Sequence, residues 1–319
     1  MKIRVGIIGD GHIAKRHKQV LAENSNFLLL GVSDSNKSDF SSNENIFRNS
    51  DIDLVSVCTP SGNHTDIAIE ALKNGKHVLV EKPMALSSID CQKMIDTAKQ
   101  NSRSFFVVKQ NRFNAPIRDL NIALENGLLG KIFQVEVKAF WNRNEAYYKN
   151  SSWRGTKALD GGIMFNQFSH FVDILYFLFG EIYPQKTILQ NSNHPYIEFE
   201  DSLISLFKTK DDAIGSINVS TNSTNQNMEG SLTIIAEKAT IKIGGKYLNQ
   251  IDYFEVKPEL NKKLKEEQLF LTNSNQNNHK AVYESVFDAL QGKHSKSLAS
   301  AEEGKKVVEI IENIYKSAQ

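Results

Sequence analysis

The segment Lys2–Ala14 constrains the fold of this chain more than any other part of its sequence. An apolar run over Lys2–Ile8 leads straight into Gly9-Asp10-Gly11-His12-Ile13-Ala14, and an amphipathic stretch continues to Glu23. This order, a strand, then G-x-G-x-x-A, then a helix, is typical of the first turn of a dinucleotide-binding sheet. The sequence therefore predicts a doubly wound parallel sheet whose first helix points its N-terminus at a phosphate group.

Each small residue of the motif has a physical reason to be small. Gly9 permits the tight turn, Gly11 lets the backbone approach a pyrophosphate, and Ala14 keeps the helix close to the sheet. We expect the cofactor to contact the turn from Gly9 through His12 and Ile13. The alternative is a sheet of the same type that binds no cofactor, in which the glycines only form a turn.

Asp34 ends the second apolar run, twenty residues after Ala14. At that position a carboxylate accepts hydrogen bonds from ribose hydroxyls and repels a 2′-phosphate, which favours NAD over NADP. Ser35 follows Asp34 and is expected in the same site. Lys37 lies nearby in the sequence and weakens the preference for NAD. Alternatively, Asp34 belongs to an ordinary turn.

The first third of the chain alternates apolar runs with amphipathic stretches. The expected strands are Lys2–Ile8, Phe27–Ser33, Asp53–Cys58, His77–Val80 and Phe105–Lys109, and the expected helices include Ile13–Glu23, Thr65–Asn74 and Ser88–Gln100. Short apolar runs separated by helices predict parallel strands joined by right-handed crossovers.

After Arg112 the pattern changes to α+β. Helices are expected over Ala115–Asn126, Gly161–Phe179, His279–Gln291 and Ala301–Ser317. Asp160 is the expected N-cap of the second of these helices and Gly180 its C-cap. Strands are expected over Lys131–Phe140, Tyr196–Lys208, Ala213–Ser220, Ser231–Ala236, Thr240–Ile243 and Tyr247–Val256. These strands predict an antiparallel sheet. Because 319 residues are more than one hydrophobic core usually supports, we expect two domains. These are a Rossmann domain over residues 1–114 and an α+β domain over residues 115–319.

The composition excludes several classes of protein. Lysine and arginine number 38 against 37 acidic residues, a formal net charge of +1, which indicates neither a nucleic-acid surface nor a polybasic membrane patch. The two cysteines, Cys58 and Cys91, exclude a disulfide framework, and their spacing does not suggest a metal site. No apolar run is long enough for a signal peptide or a membrane span, so we expect a cytoplasmic protein.

Two further stretches carry a resemblance to a known family. Cys58–Leu86 reads CTPSGNHTDIAIEALKNGKHVLVEKPMAL, and with the glycine motif it closely resembles the Gfo/Idh/MocA oxidoreductases, whose hallmark is the Glu-Lys-Pro after a strand. Tyr147–Leu175 reads YYKNSSWRGTKALDGGIMFNQFSHFVDIL and is similar to the WlbA/WbpB group of bacterial UDP-N-acetylglucosaminuronate 3-dehydrogenases. Lys109–Asn114 and the segment from His279 onward fit the same group.

The resemblance implies a Rossmann domain followed by an α+β domain on an open, mostly antiparallel sheet. That sheet would mediate assembly into a homodimer or homotetramer, and the active site would lie between the domains. Lys82 would be the family's active-site lysine, commonly followed by a cis bond to proline. The other matched positions are Thr59, Pro60, Asn63 and His64 in the loop over the cofactor, and Glu81 and Gln110 near the nicotinamide and its ribose.

The expected helix from Gly161 carries a polar stripe on an otherwise apolar surface. Asn166 and His170 are four residues apart and Asp173 follows by three, so all three would share one face and require partners, which a substrate supplies. The alternative is a core histidine with ordinary partners. By resemblance His170 is the active-site histidine, whereas many members carry Asp where this chain has Asn166, which weakens any mechanism with a carboxylate base there. Gln167 is expected to bind substrate.

Lys82 follows the carboxyl end of a strand, where ligands of doubly wound sheets bind. A partly desolvated amine there can accept a hydroxyl proton, so Lys82 and His170 are the candidate bases, and Asn166 completes the expected catalytic set. The alternative is an exposed lysine in a turn. In the sequence WRGT, Arg154 and Thr156 are expected to bind phosphate, uronate or cofactor, and Trp153 is expected to bind the cofactor. The alternatives are that Arg154 is an ordinary loop arginine, that the hydroxyl of Thr156 has no ligand, and that Trp153 only packs in the fold.

These observations predict an NAD-dependent dehydrogenase that removes a hydroxyl proton as a hydride leaves the same carbon. The resemblance points to the C3 hydroxyl of UDP-N-acetylglucosaminuronate, in lipopolysaccharide (O-antigen) synthesis, with 2-oxoglutarate recycling NADH. Alternatives are UDP-N-acetylglucosamine, another sugar or an inositol as substrate, and a non-catalytic NAD-sensing regulator. No metal, nucleic-acid or membrane partner is expected.

Overall fold

The computed structural model describes residues 2–34, 42–270 and 278–318. Its strands are β1 (Ile3–Ile8), β2 (Phe27–Ser33), β3 (Leu54–Val57), β4 (His77–Val80), β5 (Phe105–Val107), β6 (Ile132–Phe140), β7 (Ile182–Gln190), β8 (Ser202–Thr209), β9 (Ile214–Ser220), β10 (Glu229–Ala236), β11 (Ala239–Gly244), β12 (Gln250–Val256) and β13 (Ala299–Ser300). Its α-helices are α1 (His12–Glu23), α2 (Asn43–Arg48), α3 (His64–Lys73), α4 (Ser88–Gln100), α5 (Ala115–Glu125), α6 (Glu145–Lys149), α7 (Ile163–Asn166), α8 (Ser169–Phe179), α9 (Pro258–Glu266), α10 (His279–Leu290) and α11 (Ala301–Lys316).

The chain divides into two compact units. The first comprises the described residues of Met1–Gln110 and Asn277–Val308, and the second those of Asn111–Gln276 and Glu309–Gln319. The chain thus returns to its first unit near its end, because α10 packs on α1 and β13 pairs with β5. The expected domain boundary after Asn114 stays a prediction. No helix within the described ranges is long and apolar enough to cross a membrane.

The first unit is built on a six-stranded sheet in the order β13-β5-β4-β3-β1-β2. All pairs are parallel except β13 with β5. All four residues of β3 are buried, as expected for a parallel strand covered on both faces. This confirms the prediction of a Rossmann sheet with a parallel core. Because β1 lies between β2 and β3, the turns after these strands meet at one edge of the sheet.

The second unit is built on a seven-stranded sheet in the order β12-β11-β10-β6-β9-β8-β7. Only β6 and β9 pair in parallel. The α+β architecture with a mostly antiparallel sheet is therefore confirmed. The sequence did not predict α2, α6, α9, β7 and β13, which are short, polar or weakly apolar in pattern.

The single long helix expected over Gly161–Phe179 is wrong. The structure divides this segment into α7 and α8, with Gln167 and Phe168 between them, and Gly162 rather than Asp160 is the N-cap. Asp160 is buried and accepts a hydrogen bond from the backbone N–H of Gly155 instead. The expected C-cap is confirmed, because Gly180 has a φ of +71° and its N–H bonds to the carbonyl of Tyr176.

Candidate active site

The two glycines of the turn between β1 and α1 differ in their surroundings. Gly9 has a φ of +96°, and a Cβ there would lie 2.6 Å from the carbonyl oxygen of Cys58. At Gly11 a Cβ would meet no described atom within 4 Å. Gly9 is therefore small because the backbone is close, whereas Gly11 faces open space that a ligand can approach.

Asp34 lies against this turn. Its Oδ2 accepts a hydrogen bond of 2.7 Å from the backbone N–H of Asp10, and the N–H of Gly9 donates to the carbonyl of Ser33. The exposed His12 begins α1, which has no side-chain cap among the described residues, and Ile13 follows half-buried. The arrangement leaves a helix N-terminus and a carboxylate side by side, as a pyrophosphate and a ribose require. Ser35 and Lys37 lie outside the described residues.

The loop after β3 is held by His64. This buried imidazole lies 2.8 Å (Nδ1) from the carbonyl of Pro83 and 3.0 Å (Nε2) from the carbonyl of Thr59, so it ties the loop to the Glu-Lys-Pro turn. Burial is the largest effect on the His64 pKa and lowers it, outweighing the two carbonyls that favour the charged form. Pro60 is half-buried before a short 3₁₀ helix that ends at the exposed Asn63.

Two side chains expected at the cofactor have buried polar atoms without a hydrogen-bond partner among the described residues. They are the hydroxyl of Thr59 and the amide oxygen of Gln110. A buried polar atom left unpaired costs free energy, so such atoms indicate that a ligand completes the site. With Gly9, Gly11 and Asp34, they form a set that fits NAD.

The Glu-Lys-Pro turn follows β4, and its Lys82–Pro83 peptide is cis, as the resemblance implied. The side chain of Glu81 is buried, and its Oε1 lies 2.9 Å from Nε2 of His17. Its Oε2 accepts a 3.1 Å hydrogen bond from the backbone N–H of Lys82. Burial alone would raise the pKa of Glu81, but its contacts with His17 and His279 hold that pKa well below its ordinary value. Lys82 itself is half-buried.

In the second unit two arginines lie over one aromatic ring. The guanidinium carbon of Arg154 is 4.2 Å from the centroid of the Tyr147 ring, and that of Arg143 is 5.0 Å from it. Nη1 of Arg154 donates to the carbonyl of Tyr147, and its Nε is buried without a hydrogen-bond partner among the described residues. Trp153 lies farther from Arg154, at 5.5 Å. Two cations on one ring concentrate positive charge there, and the unused donor of Arg154 is of the kind that carboxylates and phosphates accept.

Gln167 connects the two sides of this arrangement. Its Nε2 donates to the hydroxyl of Tyr147 at 2.8 Å, and its Oε1 accepts from Nε of Arg143 at 2.5 Å. Arg143 also donates through Nη1 to the side chain of Asn227. These contacts fix the orientation of the Arg143 guanidinium and of the Tyr147 ring.

Other expected substrate residues have partners within their own segment. The amide nitrogen of Asn166 donates to Oδ1 of the buried Asp160. The hydroxyl of Thr156 donates to the carbonyl of Trp153 at 2.7 Å, within the same loop. Their roles toward substrate stay predictions.

The single helix from which a common face of Asn166, His170 and Asp173 was predicted is not formed, because the chain breaks between α7 and α8. His170 is half-buried in the first turn of α8. Asp173 is buried, and Arg112 donates to it through Nε and through Nη2, the latter at 2.8 Å. A buried arginine, rather than a ligand, therefore satisfies Asp173. The flanking side chains expected in the core, Phe165, Phe168, Phe171, Ile174 and Leu175, are all buried.

Sequence reasoning missed Arg143, His17, His279 and Tyr283. His17 had a detectable signal, because it occupies the buried face of α1 with Ala14, Val20 and Leu21. Arg143 lies four residues before Tyr147, but this spacing predicts a contact only within a helix, and no helix was predicted there. His279 and Tyr283 reach the site only through the packing of α10, which local patterns do not reveal.

Comparison with known proteins gives two family matches. Residues 3–109 match the Gfo/Idh/MocA model described as an oxidoreductase family with an NAD-binding Rossmann fold, and residues 121–319 match the model of that family's C-terminal α/β domain. The two matches together account for most of the chain.

Solved structures and curated proteins add individual relatives. The WlbA dehydrogenase of Bordetella pertussis, in complex with NADH and UDP-GlcNAcA, is 32% identical over 99% of this chain and 95% of that chain, with a TM-score of 0.89. The WlbA of Chromobacterium violaceum, in the same complex, is 32% identical over 99% and 94%, with a TM-score of 0.87. Glucose-6-phosphate 3-dehydrogenase of Bacillus subtilis is 30% identical over 55% of this chain and 53% of its own. The chain spans about half the length of the first curated relatives it matches.

Proposed function

The chain belongs to the Gfo/Idh/MocA family of NAD-binding oxidoreductases, and on this premise we propose that it oxidises the C3 hydroxyl of UDP-N-acetylglucosaminuronate to the 3-keto sugar. Support comes from the two WlbA structures with NADH and UDP-GlcNAcA, each similar to this chain over nearly its whole length. The nucleotide sugar carries a diphosphate and a carboxylate, so its binding site must neutralise negative charge.

The arrangement of Arg143, Tyr147 and Arg154 is the single observation that carries this proposal. Binding a neutral sugar would not require two guanidinium groups over one aromatic ring. An anion accounts for them, because its charge offsets their repulsion and its oxygens accept the unused hydrogen bond of the buried Arg154 Nε. We assign this arrangement to an anionic group of the substrate, the uronate first.

The protein's part in the chemistry is to bind, orient and take a proton. The turn at Gly9 and Gly11, with Asp34, Thr59 and Gln110, binds NAD, which accepts the hydride when bound. Lys82 Nζ accepts the hydroxyl proton, and His170 is the next candidate. Asn166 and Gln167, oriented by Asp160 and Tyr147, hold sugar hydroxyls in place.

A second candidate within the same reaction class is a dehydrogenase of another sugar, such as UDP-N-acetylglucosamine, a sugar phosphate or an inositol. The similarity to glucose-6-phosphate 3-dehydrogenase favours it, since that substrate is also an anionic sugar. The first candidate requires both a nucleotide and a C5 carboxylate, whereas each substrate of the second lacks at least one of them.

We further propose that the protein works as a cytoplasmic homodimer or homotetramer in lipopolysaccharide synthesis, with 2-oxoglutarate reoxidising its NADH. The support for assembly is an exposed apolar patch on the second sheet. Ile188 of β7 and Ile204 of β8 lie directly opposite each other, exposed by 63% and 46%, and Leu206 beside them is exposed by 53%. Apolar side chains grouped in this way mark a surface that another protein covers.

The test is NADH formation at 340 nm by purified protein with NAD and each of four substrates: UDP-N-acetylglucosaminuronate, UDP-N-acetylglucosamine, glucose 6-phosphate and myo-inositol. The proposal expects the uronate to react fastest, and added 2-oxoglutarate to regenerate NAD. A faster reaction with UDP-N-acetylglucosamine, or with a sugar that carries no nucleotide, would favour the second candidate. Tight NAD binding without any turnover would instead indicate a sensor.

A further inference from the structure

A buried group of three titratable side chains lies directly behind the Glu-Lys-Pro turn in the first unit. Oε1 of Glu81 is 2.9 Å from Nε2 of His17 and 3.6 Å from Nε2 of His279. All three side chains are at most one-tenth exposed, and Nε2 of His279 has no hydrogen-bond partner among the described residues. We call these three residues the His–Glu–His cluster.

The cluster is anchored on its far side. Nδ1 of His17 lies 2.8 Å from the hydroxyl of Tyr283 and 2.9 Å from that of Ser56, so the His17 ring is bonded at both nitrogens. Both hydroxyls can donate, which favours a tautomer in which Nε2 of His17 donates to Glu81. The contacts therefore join α1, β3 and α10 to a single carboxylate.

Glu81 also faces other polar and titratable groups. On its own turn and on the neighbouring elements these are His17, His279, Tyr283, Cys58, His64 and Lys82. Cys58 and Tyr283 are buried, and their pKa values are raised, so both stay neutral. His17, His279 and the backbone N–H of Lys82 are thus the groups that stabilise the negative charge of Glu81.

The distances favour a hydrogen-bonded cluster over a metal site. Two ligand atoms each about 2.0–2.1 Å from a tetrahedral zinc ion stand roughly 3.3 Å apart. His17 and Glu81 are closer than that, at an ordinary hydrogen-bond distance, and His17 already has its donor and acceptor positions in use.

We propose that His17 and His279 are positioning residues for Lys82: they keep Glu81 ionised, and Glu81 fixes the backbone N–H of Lys82 and carries a negative charge in the residue directly before it. The importance of this effect for catalysis rests on the proposed role of Lys82 as proton acceptor. An adjacent anion favours the charged form of a lysine, so the cluster adjusts how readily Lys82 gives up and takes a proton.

The test measures the reactivity of Lys82 without any sugar. NAD-saturated protein is labelled with trace acetic anhydride across a range of pH, and the labelling rate of Lys82 is read by peptide mass spectrometry. The variants are Glu81→Gln, His279→Leu and His17→Leu, with His17→Gln as the conservative replacement that restores an N–H donor. Lys280→Gln, an exposed neighbour of His279, is the matched control. Circular dichroism and NAD affinity exclude variants that do not fold.

Glu81→Gln should label Lys82 roughly tenfold faster than wild type near neutral pH, because losing an adjacent negative charge favours the neutral, reactive form of the amine. The histidine variants should match wild type at about pH 9, where Glu81 is still ionised. Their rate relative to wild type should rise toward that of Glu81→Gln as the pH falls to about 6.5, because Glu81 without a partner histidine takes up a proton. The labelling rate of His17→Gln should lie between the rates of wild type and His17→Leu, and the rate of Lys280→Gln should match that of wild type.

If the ratio of the labelling rate in each histidine variant to that in wild type is the same at every pH, the histidines only support the fold. That result would overturn the proposal. One zinc ion per chain, lost in His279→Leu, would overturn it as well by making the cluster a metal site. Failure of every sugar to reduce NAD would reject the proposed function and leave this labelling result interpretable.

Discussion

The guanidinium carbon of Arg154 lies 4.2 Å from the centroid of the Tyr147 ring, close enough for a cation–π contact, while Nε of the same guanidinium is buried and unbonded among the described residues. The ring contact orients the arginine without using its hydrogen bonds. One hydrogen-bond donor of the guanidinium therefore remains for the anion that the proposed function requires, and this makes the charge of the substrate testable.

Arg154→Ala should weaken binding of UDP-N-acetylglucosaminuronate much more than binding of UDP-N-acetylglucosamine. Loss of a charge-assisted hydrogen bond costs about 1.5–3 kcal/mol, or roughly 10- to 150-fold in affinity. Calorimetric titration of both nucleotide sugars measures the difference. Lys157→Ala, which removes an exposed cation from the same loop, is the control and should change neither affinity. Equal losses on both sugars would assign Arg154 to the diphosphate or the cofactor.

Asp34→Ala should loosen NAD binding and narrow the preference for NAD over NADP. In the proposed site the carboxylate directly after β2 accepts hydrogen bonds from the ribose hydroxyls of NAD and repels a 2′-phosphate. Its removal should therefore weaken the binding of NAD and leave the binding of NADP little changed. We expect a loss of roughly 10-fold or more in NAD affinity, measured by fluorescence titration. Glu23→Gln, at the exposed end of α1, serves as the control. Unchanged NAD affinity would remove Asp34 from the site.

Lys82→Met should lower kcat by roughly 10²–10⁴-fold while NAD binding stays within about twofold of wild type. Methionine keeps most of the length of the side chain but cannot accept a proton. Stopped-flow measurement of NADH formation gives kcat, and Lys73→Met, at the exposed end of α3, is the matched control. Near-normal turnover would move the proton transfer elsewhere, with His170 to be replaced next.

Asp173→Asn should destabilise the second unit. The carboxylate balances the fully buried guanidinium of Arg112, and removing one member of a buried ion pair costs about 3–5 kcal/mol. Urea unfolding measures the loss. The double variant Arg112→Leu/Asp173→Leu should recover part of it, because no charge is then left in the core. A single variant as stable as wild type would show that the pair contributes little.

The sequence predicted the sheets well because their patterns are local. The bounds of β2, β4 and α4 agree with the expected ones, and the glycine turn and Asp34 lie together as the motif required. Parallel strands buried on both faces leave a strong apolar signal, which explains this success.

The candidate site was harder to predict because it depends on contacts distant in sequence. The break at Gln167 and Phe168 occurs within an apolar stretch whose pattern predicts one continuous helix, so the helix period could not reveal it. His279 meets Glu81 only because α10 returns to the first unit. No local pattern contains either fact.

The most direct test of the account is the ratio of kcat/KM for UDP-N-acetylglucosaminuronate to kcat/KM for UDP-N-acetylglucosamine in the wild-type protein. The two sugars differ only in the substituent that C5 carries, which is a carboxylate in the uronate and an uncharged group in its parent. The ratio therefore isolates recognition of the carboxylate. A charge-assisted contact from Arg154 or Arg143 predicts a ratio of at least about 10 in favour of the uronate. A ratio of one or below would contradict the assignment of the substrate.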